Sequence, residues 1–238
     1  MAVISEDSWL AERIGHDVFT IDAGAPIDGV RAHIASQHRA MYQTRVSAER
    51  VAVVRGLGHE GMYVVDLTLT FGRRPTLDPH AVAGVAIVEA AADQEEQLLA
   101  IAASAFRYSR FHLDPLIPAA VANRIKQDWV ESYLRGRRGE KLLVALIGGT
   151  VAGFLGILAD QEDSRALLTI DLVAVAPECR SQGVATALTH AFLVEAEDHC
   201  DEVRVGTQAA NIGATRLYER LGFSIVNTEY AMHGHIDT

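Results

Sequence analysis

The stretch Ile170-Asp171-Leu172-Val173-Ala174-Val175-Ala176-Pro177-Glu178-Cys179-Arg180-Ser181-Gln182-Gly183-Val184-Ala185-Thr186-Ala187-Leu188 decides how this chain is read. An apolar, partly β-branched run enters a short proline-containing loop, and a helix begins at or near Gly183. The first N–H groups of a helix have no partner within it and lie at the positive end of its dipole. Such a junction receives phosphate oxygens. Gly183 and Ala185 are small enough to let a pyrophosphate approach the backbone, and Arg180 adds charge beside it. The helix that follows presents Val184, Ala187, Leu188, Ala191 and Val194 on one face. By itself, a glycine at a helix start also suits an ordinary tight turn. The stretch carries neither GxGxxG nor GxxxxGK followed by Ser or Thr.

A second segment lies downstream. Asn211 is a good N-cap, and the helix it opens ends at Tyr218-Glu219-Arg220-Leu221-Gly222-Phe223, with Gly222 where a helix stop favours a left-handed residue. Asn211 and Tyr218 are two turns apart and share a face.

Working outward, helices are expected at 93–106, 119–134, 183–198 and 211–221. Strands are expected at 82–89, 142–147, 151–159, 166–175, 202–207 and 224–232, with Gly148-Gly149 as a hairpin turn. The segment 109–118 reads as an irregular loop. Mixing hairpins with a β-α-β crossover calls for one partly splayed mixed sheet, an α/β (α+β) fold. Upstream, 26–38 and 48–56 read as helices and 62–71 as a strand. Two prolines and a glycine within 72–80 suggest a linker. The expected division is thus a small N-terminal α/β domain at 1–80 and a larger domain at 81–238. Leu57-Gly58-His59 before the first strand echoes Leu221-Gly222-Phe223 before the last. The echo is either a degenerate copy of the same half-fold or a chance likeness of two helix–glycine–strand junctions.

The Arg180-x-x-Gly183-x-Ala185 spacing, with its preceding strand and Pro177, resembles the acetyl-CoA pyrophosphate loop of the GCN5-related N-acetyltransferases (GNAT). The Asn211-x-x-Ala214-x-x-Leu217-Tyr218-x-x-x-Gly222-Phe223 arrangement is similar to that family's closing motif. The resemblance implies acetyl-CoA as the acetyl donor. It places the pyrophosphate at Arg180, Ser181, Gln182, Gly183, Val184, Ala185 and Thr186, and the pantetheine arm against the backbone of Val173 and Val175. Asn211 would touch the pantetheine and Tyr218 the thioester sulfur. An alkyl ammonium must lose a proton before its nitrogen attacks. The N–H of Val173 would then stabilise the developing oxyanion, and Tyr218 would protonate the departing thiolate. Asp171 is the candidate base, with a salt-bridged acid and a water chain as the alternatives.

Acceptor recognition falls to the earlier helices and their loop. Ser109-Arg110-Phe111, with Ala105-Phe106 and Gln127-Asp128-Trp129-Val130-Glu131, resembles bacterial TDP-fucosamine acetyltransferases, which acetylate the 4-amino group of a nucleotide-linked deoxysugar. Trp9 to Phe19 is similar to the opening of their N-terminal unit. That resemblance implies acceptor contacts at Arg110, His112 and Trp129. A peptide N-acetyltransferase and a non-catalytic acyl-CoA-binding module are the competing functions.

Composition bounds these readings. The chain has 238 residues, is 49% hydrophobic and carries a formal net charge of -10, which disfavours a nucleic-acid partner. The basic cluster Arg135, Arg137, Arg138 and Lys141 reads as a solvated helix end, with binding of an anionic ligand as the alternative. No apolar run is long enough to span a bilayer, so no membrane is expected. Residues 1–10 do not read as a secretory signal. With two cysteines, a reducing cytoplasm is the simplest home. His233-x-His235 offers too few ligands for a metal site, and none is expected. The expected partner is a small-molecule amine, and a homodimer through the N-terminal unit or a sheet edge is compatible with the sequence.

Overall fold

The computed structural model describes residues 3–76, 82–162, 165–197 and 199–237. The N-terminal segment runs β1 (Ile4–Glu6), α1 (Ser8–Ile14), β2 (Asp17–Ile21), α2 (Ile27–Ala35), β3 (Arg39–Ser47), α3 (Val51–His59) and β4 (Tyr63–Arg73). Then follow β5 (Ala86–Glu89), α4 (Glu95–Ala105), the single turn α5 (Arg110–Leu113), α6 (Ala119–Leu134), β6 (Lys141–Ile147), β7 (Thr150–Glu162) and β8 (Arg165–Val175). The chain closes with α7 (Val184–Ala196), β9 (Glu202–Gln208), α8 (Ile212–Arg220) and β10 (Ser224–Asp237). All ten strands join in one mixed sheet, in the order β1-β2-β3-β10-β4-β9-β8-β7-β6-β5.

The centre of that order is an exchange. β10 lies between β3 and β4, and β4 lies between β10 and β9, each pairing antiparallel. Outward on either side, β2 pairs parallel with β3 as β8 does with β9, and β1 pairs antiparallel with β2 as β7 does with β8. Apart from α1, which is inserted between β1 and β2, the run β1-β2-α2-β3-α3-β4 therefore repeats as β7-β8-α7-β9-α8-β10 about an axis between β4 and β10.

The equivalence of Gly58 with Gly222 does not hold; the counterpart of Gly222 is Gly61. After α3, Gly61 has φ +86° and Met62 N–H donates to Leu57 O at 3.1 Å; after α8, Gly222 has φ +77° and Phe223 N–H donates to Tyr218 O at 3.0 Å. Gly58 lies inside α3, so Gly61 is the residue that needs the left-handed angle.

Two layers of helices cover the sheet. α7 and α8 bury Val184, Leu188, Phe192 and Tyr218 against Phe71, Ile170 and Val205. On the other face α4 and α6 bury Leu98, Ile101, Val130 and Tyr133 against Val144, Phe154 and Leu172. There, α1 and α5 join α6 through Leu10, Phe111 and Ile125 over Met41.

Several boundaries differ from the sequence reading. β4 runs through Gly72 and Arg73, shortening the expected linker, whose residues 77–80 lie outside the described residues, as does Asp198 at the end of the expected helix 183–198. Gly84, at φ +80°, delays β5 to Ala86. The loop 109–118 contains α5. Val194, expected on the buried face of α7, is 59% exposed, and Phe192, Leu193 and Ala196 take that face instead.

His233 and His235 lie within β10, where they and Tyr63 bind one carboxylate. Asp114 Oδ2 accepts from His233 Nδ1 at 2.6 Å and His235 Nε2 at 2.9 Å, while Oδ1 accepts from Tyr63 OH at 2.7 Å and Leu116 N–H at 2.9 Å. Burial works to raise the Asp114 pKa, but these donors hold it well below the usual carboxylate range. Burial pushes the His233 pKa down, so the ring is neutral and donates from Nδ1. The latch ties the α5–α6 segment to β4 and β10.

Below its free pKa of about 6.5, His233 takes up a proton in the unfolded chain that the fold resists. The urea midpoint should therefore fall between about pH 7.5 and about pH 5.5. His233→Gln should make that fall shallower; an unchanged pH dependence would remove His233 from the account.

Candidate active site

Parallel pairing of β8 with β9 covers only Leu167–Ile170 against Glu202–Val205. Beyond it, β8 stays with β7 as far as Val175, and β9 stays with β4 as far as Gln208. The facing edges part, and a gap opens in the sheet. Ala176 N–H donates to Ala152 O on the β7 side at 2.9 Å. Because backbone groups alternate along a strand, Val173 and Val175 direct theirs to the opposite edge, into the gap.

At its mouth lies the β8–α7 loop. A 3-10 turn at Pro177–Cys179 leads through Ser181 at φ +61° to Gly183 at φ +79°, the N-cap of α7. A Cβ at Gly183 would meet Val82 Cγ1 at 2.8 Å. Ala187 N–H to Gly183 O, 2.9 Å, is the first bond of the helix, so the N–H groups of Val184, Ala185 and Thr186 face outward from its start. Arg180 reaches Ala105 O at 3.2 Å, and Gln182 Nε2 reaches Glu178 O at 3.0 Å. This is a cradle a pyrophosphate fits.

Asn211 caps α8, its Oδ1 accepting from Ala214 N–H at 3.3 Å. Seven residues on, Tyr218 is buried with its ring 5.7 Å from Phe71 and 5.9 Å from Phe223. Burial pushes its pKa up, so the phenol keeps its proton. Among the described residues no group hydrogen-bonds its hydroxyl.

Asp171 sits where the β7–β8 register shifts, which turns its carboxylate toward α6. Arg138 grips it through Nε at 2.6 Å and Nη2 at 2.8 Å, and Tyr133 OH donates to it at 3.0 Å. Glycines flank the Tyr133 ring: a Cβ at Gly156 would lie 2.8 Å from Tyr133 Cζ, and one at Gly139 2.2 Å from Cε1. Asp171 is salt-bridged, and its carboxylate fixes Arg138 at the edge of the cavity.

Beside Arg138 opens a cavity of about 510 Å³, lined among others by Asp7, Trp9, Arg13, Arg110, Trp129 and Arg138. The two indoles lie 6.3 Å apart, tilted by 55°. Arg13 stacks on Trp9 at 4.1 Å and Arg138 on Trp129 at 4.6 Å. Arg110 Nη2 donates to Gln43 Oε1 at 3.0 Å, but its buried Nε has no partner. Burial pushes its pKa down to about 10, and among the described residues no carboxylate pairs with it.

Arg110 and Trp129 thus reach the cavity, and His112 does not. The two nitrogens of His112 are taken by Ser109 Oγ at 2.6 Å and Asn123 Oδ1 at 2.9 Å, stapling α5 to α6. The basic cluster divides as well. Arg135 pairs with Glu95 at 2.6 Å and Lys141 with Glu195 at 2.7 Å, whereas Arg137 and Arg138 line the cavity. Trp9 and Arg13 also line the cavity, and their spacing of four on a short helix is the signal the sequence offers for them.

Asp114, His233 and His235 bring three donor atoms within 4.8 Å of one another. Their separations of 2.6 and 2.9 Å are those of hydrogen bonds. Ligands at tetrahedral angles on bonds of about 2.0–2.1 Å stand roughly 3.3 Å apart.

Residues 96–223 match a family model described as the acetyltransferase (GNAT) family. Spore coat polysaccharide biosynthesis protein SpsD of Bacillus subtilis (strain 168) is 34% identical over 140 residues, covering 58% of this chain and 46% of that protein. Mycothiol acetyltransferase of Propionibacterium freudenreichii subsp. shermanii is 27% identical over 154 residues, 64% of this chain and 47% of that one. The matches span less than half the length of these relatives. A solved GCN5-related N-acetyltransferase from Sphaerobacter thermophilus shares the fold, with TM-score 0.58 and 19% identity over 88% of this chain and 64% of that one.

Gly183→Val adds bulk at the cradle and strains a left-handed residue. It should raise the acetyl-CoA Kd by about tenfold or more in calorimetry, equivalent to roughly 1–2 kcal/mol. Unchanged affinity would place the pyrophosphate elsewhere.

Proposed function

The chain belongs to the acetyltransferase (GNAT) family, and from that premise we propose that it moves the acetyl group of acetyl-CoA to the primary amine of an amino-sugar nucleotide. The observation that carries the acceptor class is Arg110, a buried guanidinium without a carboxylate partner facing the cavity. Burying an unpaired charge costs several kcal/mol, and an acceptor diphosphate would offset that cost. Arg137 adds to the positive field, Arg13 and Arg138 are already paired with Asp128 and Asp171, and Trp9 and Trp129 offer ring faces to a nucleobase. The SpsD relative, named for polysaccharide biosynthesis, supports a sugar acceptor. Helix α1 walls the cavity on one side, which suits a small acceptor better than an extended peptide.

Acetyl-CoA supplies an activated acyl carbon with a thiol leaving group. The chain's residues do the rest in this reading. The α7 N-terminus and Arg180 hold the pyrophosphate, and Val173 and Val175 hold the pantetheine edge. The Val173 N–H offers a donor to the carbonyl oxygen as charge develops. The Tyr218 hydroxyl, kept protonated by burial, donates to sulfur.

We read the segment 1–80 as a degenerate copy of the acetyltransferase half. Its topology repeats, but the chemistry does not. In the β2–α2 loop, counterpart of the pyrophosphate cradle, Asp22 Oδ1 accepts from Gly24 N–H at 2.7 Å, placing a carboxylate where an anion would bind. Leu57 stands at the counterpart of Tyr218. The copy instead lends the site α1 and β4.

Release of CoA thiol should be followed with acetyl-CoA and TDP-4-amino-4,6-dideoxyhexoses, aminoglycosides or short peptides. Turnover of the sugar nucleotide is expected, with kcat lowered about 10²-fold in Tyr218→Phe. Trp9→Ala should raise acceptor KM by about tenfold, as expected for a lost base-stacking face. Turnover confined to peptides or aminoglycosides would sink the acceptor assignment.

A further inference from the structure

We propose that Lys126 is the general base: its ε-amine takes the proton from the acceptor ammonium where the cavity meets the cofactor gap. The inference rests on the acetyl-transfer reading above and fills the role that Asp171, clamped by Arg138, leaves open.

Only two of the 21 basic residues are lysines, Lys126 and Lys141. Lys141 is an ordinary surface cation paired with Glu195. Lys126, on the inward face of α6, is 8% exposed, and among the described residues no carboxylate lies within ion-pairing distance of it. Its Nζ lies 4.2 Å above the Trp129 ring and 4.9 Å above the Phe106 ring. These rings mark the two sides of the reaction. Trp129 walls the acceptor cavity. Phe106 follows Ala105, whose carbonyl accepts from Arg180 of the pyrophosphate cradle. Two turns along α6, Tyr133 holds Asp171 on the strand that borders the gap.

The surrounding charges keep the amine neutral. Burial comes first; Arg110 on α5, Arg138 after α6 and Arg45 on β3 repel a proton, and Asp171 on β8 alone attracts it. Together they push the lysine down to about 7, which brings its free base within reach at neutral pH. A guanidinium cannot serve in this way, because it does not deprotonate in proteins. A single lysine within an arginine field is therefore the one cation able to take up and give back a proton.

The step balances. Lys126 Nζ takes one proton from R–NH3⁺. The freed lone pair forms the C–N bond to the thioester carbonyl carbon as the C–S bond breaks, its electron pair leaving on sulfur. Sulfur takes the Tyr218 hydroxyl proton, and the second proton on nitrogen returns to the tyrosinate. Lys126 releases its proton to solvent, one per acetyl group transferred.

Protein labelled with ¹³C,¹⁵N-lysine gives two side-chain Cε signals, assigned with Lys126→Arg, and their titration needs no acceptor. One signal should titrate near pH 7 and the Lys141 signal above about pH 10. Two titrations above about pH 9 would overturn the proposal. With the TDP-4-amino-4,6-dideoxyhexose as acceptor, the wild-type kcat profile should break near that lower pKa. Lys126→Arg and Lys126→Met should both lose the break and about 10²–10⁴ in kcat, with acetyl-CoA Kd unchanged. Should Lys126→Arg keep kcat and its pH break and alter only acceptor KM, Lys126 binds an anion and is not the base. Should the wild type be silent with every amine, the acceptor reading fails, and the lysine titration still decides for or against the base.

Discussion

Strands β4 and β10 are each hydrogen-bonded along both edges, and each is held by a strand from the other half of the chain. Everything that makes the site depends on that exchange. It holds β9 firmly to β4 while β7 holds β8, so the two middle strands can part without the sheet coming undone. It also lays the N-terminal segment over α6, where Trp9 of α1 meets Trp129. The Asp114 latch gathers Tyr63 and two histidines from the same pair of strands, fixing the loop that carries Arg110.

Charge in this molecule is a local matter. The chain as a whole is acidic, at -10, yet its cavity gathers Arg13, Arg110, Arg137 and Arg138. Exposed pairs such as Arg135 with Glu95 contribute little to stability because water screens them. The enclosed groups are different. Asp114 is satisfied by four donors; Asp171 is satisfied by Arg138 and Tyr133. Among the described residues Arg110 is left without an anion, so its field is available to a ligand, while burial and that field hold Lys126 toward its neutral form.

What the sequence makes legible is what neighbours along the chain can encode. The junction at Gly183 and the cap and stop at Asn211 and Gly222 are each written within a dozen residues, and the fold follows from their order. The mixed sheet and its splay follow from the same local signals. The N-terminal strands were harder: β1 has three residues and β2 five, too few for an alternation to stand out. Spacing also gives no sign of which distant partner a charge will find. Asp171 meets Arg138 across 33 positions and His233 meets Asp114 across 119. The resemblance implies an acceptor contact at His112, but its partners Ser109 and Asn123 turn it into a staple. Lys126 drew no notice because one lysine on a helix ordinarily points to water.

The exchanged strands also set an order of events on the ribosome. β3 and β4 run parallel with one strand's width between them, and the strand that fills it is Ser224–Asp237, which follows the other nine described strands along the chain. Until it emerges, the nascent chain carries a slot with a bare edge on either side, the kind of template that captures stray strands. The long separation between the slot and its filler makes closure a late event in folding. The middle of the sheet is the last part to be built, and the two halves of the site become one when it closes.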